Sequence, residues 1–158
     1  MKKLTLTMLF IPLSILGILS ENNIFAVDYE PDSKTRFVLI KPLTIKSGTA
    51  SVFIQKDVAT RNEALIDQYY PNCHFEQRKL ATADLVIEPD EFIVTNTRLS
   101  HDPVTRGSHE IITLFYLTAK KRKKKYTLEC QYWGGWSGRY LTREQIQDAV
   151  KAYFKIIP

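Results

Sequence analysis

Two imidazoles and two carboxylates crowd one short stretch: His101, Asp102, His109 and Glu110 lie within or beside SHDPVTRGS, residues 100–108. Histidine titrates near neutrality, and carboxylates take up protons or hold cations, so this composition suits acid–base chemistry or a metal site. The spacing from His101 to His109 matches no standard zinc pattern. Asp102, Pro103, Gly107 and Ser108 also give the segment the character of a long exposed loop, where polar residues gather in any case. Elsewhere, Ser137 stands between Trp136 and Gly138 without the G-x-S-x-G elbow of a hydrolase nucleophile. Gly134, Gly135 and Gly138 form neither of the two common phosphate-binding glycine patterns. No catalytic, metal or cofactor motif emerges, and a small secreted hydrolase or metal-dependent enzyme using the His101 to Glu110 loop stands as the alternative to a binding protein.

A second cluster is electrostatic. Lys120, Lys121, Arg122, Lys123, Lys124 and Lys125 are consecutive and run directly into YTLECQYWGGWSGRY. Six like charges repel one another and stay solvated, so the run is expected at the end of a hairpin between two long strands, where lysines also discourage edge pairing. The same charges suit an anionic surface such as phospholipid or lipopolysaccharide head groups; nucleic acid ranks behind these. In the aromatic stretch that follows, Gly134 and Gly135 are expected to turn the chain. Tyr132 is expected to point inward, which leaves Trp136 and Arg139 as candidate ligand contacts.

These residues must be carried by a domain whose destination is written at the amino terminus. Lys2 and Lys3 precede the apolar run LTLTMLFIPLSILGIL and then SENNIFA, the layout of a secretory signal peptide. Cleavage after Ala26 leaves residues 27–158, with cleavage after Ser20 as the alternative. An uncleaved anchor is the competing reading, but Leu4 to Leu19 is short for a spanning helix and contains Pro12. Either way the remainder lies outside the cytoplasm, periplasmic or secreted. The chain has 22 basic and 17 acidic residues; removing Lys2, Lys3 and Glu21 leaves 20 and 16, a net of +4. Subtracting the six charges of the run leaves 14 against 16, so all the basicity resides in that one segment. A domain built throughout for nucleic acid would spread its cations over a face.

Export also gives meaning to the two cysteines. An even count in an oxidising compartment favours a disulfide, and Cys73 and Cys130 are too far apart for a CxxC motif. Cys73 shares a strand face with Phe75, and Cys130 shares one with Tyr126, Leu128 and Tyr132, so both thiols are expected inward and bridged.

Runs of branched and aromatic residues predict strands in RFVLIKP, TASVFIQK, NCHFEQRKL, ADLVIEP, EFIVTNTRL, EIITLFYLTAK and KYTLECQYW. RNEALIDQYYP predicts a short helix or an irregular excursion ended by Pro71. Thr142, with Gln145 three residues on, marks a capping box before IQDAVKAYFKII. A closing helix there would align Ile146, Val150, Tyr153 and Ile157, with Ala149 and Phe154 beside them, to seal a sheet or a barrel mouth.

The stretches TASVFIQK, IDQYYPNCHFEQR and EPDEFIVT resemble a group of uncharacterised small exported or lipid-anchored proteins of Gram-negative bacteria, over about the middle third of the chain. That resemblance implies an envelope β domain and brings no activity or functional residue with it. The expected architecture is one exported, mainly β domain, residues 27–158: an antiparallel sandwich or partly open barrel of about seven strands with a C-terminal α-helix packed on it. The expected function is that of a non-catalytic envelope binding or accessory protein with an unknown protein partner or an anionic surface as its target.

Overall fold

The computed structural model describes residues 34–105, 107–135 and 137–158. The expected signal peptide, residues 1–26, and the candidate ligand contact Trp136 lie outside the described residues. The strands are β1 Arg36–Leu39, β2 Leu43–Ile45, β3 Ser51–Gln55, β4 Val58–Thr60, β5 Asn72–Gln77, β6 Leu85–Ile87, β7 Glu91–Thr105, β8 Ser108–Ala119, β9 Lys125–Gly135 and β10 Phe154–Ile157. Among the described residues there is one 3-10 turn, Glu63–Leu65, in the excursion before β5, and one α-helix, α1, Arg143–Val150. Eight strands form an antiparallel half-barrel in the order β10-β1-β7-β8-β9-β5-β3-β4, and β2 pairs with β6 beside it.

Period-two alternation builds the core. Phe37, Phe92, Phe115, Leu117, Leu128 and Phe75 point from successive strands into the concave face and are buried. Phe75 touches Phe92, Phe154 and Tyr126 with ring centroids 5.6, 5.5 and 5.0 Å apart, so one aromatic cluster ties four strands together. Helix α1 closes this face with Ile146, Ala149 and Val150. Its Thr142 cap accepts from the Gln145 amide while the Gln145 side chain accepts from the Thr142 amide, so the predicted capping box is present.

The helix ends at Val150, earlier than the sequence pattern suggested. Tyr153 and Ile157 therefore leave the expected stripe. Phe154 and Ile156 turn inward as part of β10, which pairs antiparallel with β1. Gln147 holds the junction, donating to the Phe154 carbonyl at 2.9 Å and accepting from the Ile156 amide at 2.7 Å. FKII alternates apolar and exposed residues, and the open edge of β1 offers a full ladder of backbone bonds, which outweighs the weak helix propensity of this segment.

SHDPVTRGS is likewise not a long loop. β7 and β8 pair out to Thr105 and Ser108, and Gly107 at the tip adopts a φ of 89°. A bulge between Val94 and Asn96 marks where β7 leaves the core: β1 accompanies it only from Glu91 to Ile93, and beyond it the strand is an exposed edge. Pro103 is tolerated there because an edge strand does not need every N–H. Gly134 and Gly135 are the last paired residues of β9, opposite His109 and Ser108, and the chain reverses after them. A Cβ at Gly138 would lie 2.0 Å from the Ile111 methyl and 3.0 Å from the Gly135 carbonyl oxygen, so any other residue there would force Ile111 to shift.

Cys73 and Cys130 are directly opposed on β5 and β9, fully buried and joined in a disulfide. Closing that loop stabilises the fold by about 4 kcal/mol in the chain-entropy picture.

Candidate functional site

The six-cation run is the turn between β8 and β9, as its length and solvation required. Lys123 adopts a left-handed φ of 55°, and its amide donates to the Ala119 carbonyl at 2.8 Å, while Ala119 donates to Lys124 at 2.9 Å. Asp90 supports the turn from beneath: its buried carboxylate accepts from the Lys121 amide at 3.3 Å and from the Glu91 amide at 2.8 Å. Three of the six side chains are engaged. Lys120 pairs with Glu91 at 2.9 Å, Lys121 donates to the Pro89 carbonyl at 3.2 Å, and Lys124 donates to Gln77 at 2.8 Å. Glu91 also holds Arg36, and the bonds from Lys120 and then Arg36 keep its carboxyl below the ordinary glutamate value.

Arg122, Lys123 and Lys125 are exposed and make no ion pair among the described residues. Two further cations join them. Arg78 and Lys79, just past β5, line a cleft of about 320 Å³ together with Gln77, Lys124 and Lys125. A second cleft of about 400 Å³ adjoins it, sharing Gln77, Arg78 and Lys125 and continuing along Tyr116, Tyr126 and Thr127 to Glu76. Arg78 and Lys79 went unnoticed in the sequence because only the contiguous run drew attention. The signal was present: with Cys73 opposite Cys130, the register brings Gln77 opposite Tyr126 and carries Arg78 and Lys79 toward Lys125 and Lys124.

The convex outer face of the half-barrel carries the opposite charge. Arg98, Leu114, Glu129, His74 and Phe53 form one cross-strand row, with Asp102, Glu110 and Trp133 in another. His74 stacks on Phe53 with centroids 4.5 Å apart and planes at 9°, on the strand face opposite Cys73. Burial lowers the His74 pKa against the opposing pull of Glu76 and Glu63. Burial raises the Glu129 carboxyl, and the Glu110, Glu76 and Asp102 charges push the same way. Glu110 is raised by burial too; the Trp133 indole opposes this, while Asp102 and Glu63 add to it. The excursion before β5 leans on this face: Trp133 donates its amide to the Gln68 carbonyl at 2.6 Å, and the Tyr69 ring meets the Trp133 ring edge-on at 5.7 Å.

The four residues around 100–110 are not brought together. His101 opposes Ile111 and its ring lies 6.4 Å from His109 and 4.9 Å from Tyr140, whereas Asp102 opposes Glu110 on the other face. Alternation along the strands thus separates the imidazoles from the carboxylates. Among the described residues no group of three or more histidines, cysteines or acids is arranged to hold a metal. Ser137 and Arg139 are exposed in the turn after β9, and the Arg139 carbonyl accepts from the half-buried Tyr132 hydroxyl at 2.7 Å. A cleft of about 690 Å³ lies near Leu43, Val52, Arg61 and Tyr153, where Lys46 is paired with Asp84 at 2.7 Å. No helix of the described residues is long and apolar enough to cross a membrane.

Fold and charge define a disulfide-bonded, mainly β half-barrel with a cationic end and an acidic outer face. No family model, curated protein or solved structure matches the chain.

Proposed function

We infer that this is an exported, non-catalytic binding or accessory protein of the bacterial cell envelope, which contacts anionic envelope components through its cationic end. The observation that carries the reading is the convergence of Arg78 and Lys79 with Arg122, Lys123, Lys124 and Lys125 at one end of the sheet. Near an anionic surface each such cation contributes about 1 kcal/mol, enough for attachment that salt reverses. A periplasmic or secreted location is supported by the signal-peptide pattern of residues 1–26 and by the buried disulfide, which persists in an oxidising compartment. The enzyme alternative draws no support from the separated His101, Asp102, His109 and Glu110.

Co-sedimentation with vesicles tests the proposal. The protein is expected to bind vesicles rich in phosphatidylglycerol at low salt, to leave zwitterionic vesicles alone, and to lose binding when residues 120–125 are all replaced by glutamine. Unchanged binding by that variant would reject the turn as the contact. Tighter binding to duplex DNA than to the vesicles, at equal salt, would move the function to nucleic acid.

A further inference from the structure

A solvated lysine turn explains attraction to any anionic surface, but it does not explain a cleft. The cations at this end come from two separate chain segments. Arg78 and Lys79 leave β5, Lys124 and Lys125 enter β9, and the disulfide two rungs beyond Phe75–Leu128 fixes the register that brings them together. Lys124 is positioned: its ammonium donates to Gln77 at 2.8 Å and lies 5.4 Å from the Tyr126 ring centre. Gln77 is buried, so its side chain anchors the floor of the cleft. Arg78, Lys79 and Lys125 have no ion-pair partner among the described residues, and a guanidinium beside ammonium groups matches the oxygens of a phosphate.

The adjoining cleft extends this end onto the outer face, along the half-buried Tyr116 and Thr127. It is lined by Tyr116, Thr127, Arg78 and Lys125, and Glu76, across Thr127 from Tyr116 on the same rung, repels an anion from that part of the cleft. A ligand seated across both clefts would place its negative head among Arg78, Lys79, Lys124 and Lys125 and its apolar part toward Tyr116. We propose that the two clefts form a discrete site for one anionic amphiphile, a phosphomonoester head group carrying acyl chain, rather than a diffuse contact with a charged surface. This rests on the envelope-binding reading and narrows it to a ligand class and a stoichiometry.

The test uses the oxidised protein and soluble probes: dihexanoyl phosphatidic acid below its micelle concentration, glycerol 3-phosphate, inorganic phosphate and dihexanoyl phosphatidylcholine. Calorimetric titration is expected to show saturable one-to-one binding of the phosphatidic acid, at least tenfold tighter than glycerol 3-phosphate or phosphate, with none for the choline lipid. R78Q/K79Q is expected to weaken it about tenfold or more, the loss of charge-assisted hydrogen bonds. R122Q/K123Q, which removes the same charge from the turn tip, is expected to weaken it by less than R78Q/K79Q does. Tyr116→Ala is expected to shrink the preference for the lipid over glycerol 3-phosphate. Thermal melts of each variant confirm folding. Absence of saturable binding while anionic vesicles are still bound overturns the discrete site and leaves the envelope contact standing. Absence of vesicle binding overturns that contact instead. Equal affinity for phosphate and the lipid, or equal loss in both charge pairs, also overturns the proposal.

Discussion

The cationic end and the acidic outer face treat charge in opposite ways. At the β8–β9 turn the cationic side chains are exposed to water, and the backbone beneath is held by buried Asp90. On the outer face Glu129, Glu110 and His74 are half-buried among one another and against Phe53 and Trp133, so desolvation moves all three away from their ordinary values. The first arrangement presents its cations to a partner from an exposed turn. The second exchanges charge with the solvent as pH changes, and its carboxylates work against the fold at neutrality.

The disulfide underlies both regions, because the Cys73–Cys130 pair sets the β5–β9 register that gathers Arg78 and Lys79 on one side and aligns His74 with Glu129 on the other. Replacing both cysteines by serine is therefore expected to have the largest effect, a loss of about 4 kcal/mol of stability measured by denaturant unfolding, with weakened vesicle binding in whatever remains folded. An unchanged unfolding midpoint would show that strand pairing alone holds the register. Asp90→Ala is expected next. It leaves the Lys121 and Glu91 amides short of an acceptor and costs about 1–3 kcal/mol, and it loosens the turn without removing a cation. If the turn's order matters to binding, Asp90→Ala will weaken lipid binding at matched temperature; loss of stability with full affinity would confine Asp90 to a structural role.

The pH prediction follows from the directions of the shifts. Glu129 has a folded pKa raised above its unfolded value, so its unfavourable contribution is present at neutral pH and disappears as pH falls through that folded value. Glu129→Gln is expected to stabilise the protein near pH 7, with the advantage over the parent shrinking toward pH 4.5; a pH-independent difference would sink the argument. His74 runs the other way: its folded pKa is lowered, so the stability it contributes is present above 6.5 and is lost as pH falls through the folded value. His74→Gln should flatten that part of the profile. The smallest effect is expected at the other region. Replacing Arg122, Lys123 and Lys125 by glutamine should change stability by about 0.5 kcal/mol or less between pH 5 and 8, because exposed unpaired cations contribute little to the folded state.

Much of the scaffold was legible because it is written in local periodicity. NCHFEQ and YTLECQYW each show which face a cysteine occupies, and six adjacent cations have few places to sit other than a turn. Of the three strands that went uncounted, Leu43–Ile45 and Val58–Thr60 are only three residues long, and Phe154–Ile157 lay inside the expected closing helix. The polar content of SHDPVTRGS imitated a loop because an exposed edge strand and a loop face the same solvent. Most of the cationic end was visible as a charge run, but its second half was hidden in QRK after β5, which acquires meaning only once strand pairing is known.

The sequence by itself determined that this chain makes a β domain with inward cysteines, a capped helix and one strongly cationic turn, since alternation, capping and charge repulsion act between near neighbours. Only the tertiary structure decided that KAYFKII leaves the helix for the edge of β1, that His101 and Asp102 part to opposite faces, and that Arg78 and Lys79 meet Lys124 and Lys125. Those outcomes depend on hydrogen-bond ladders and register between segments distant along the chain, which no local pattern encodes.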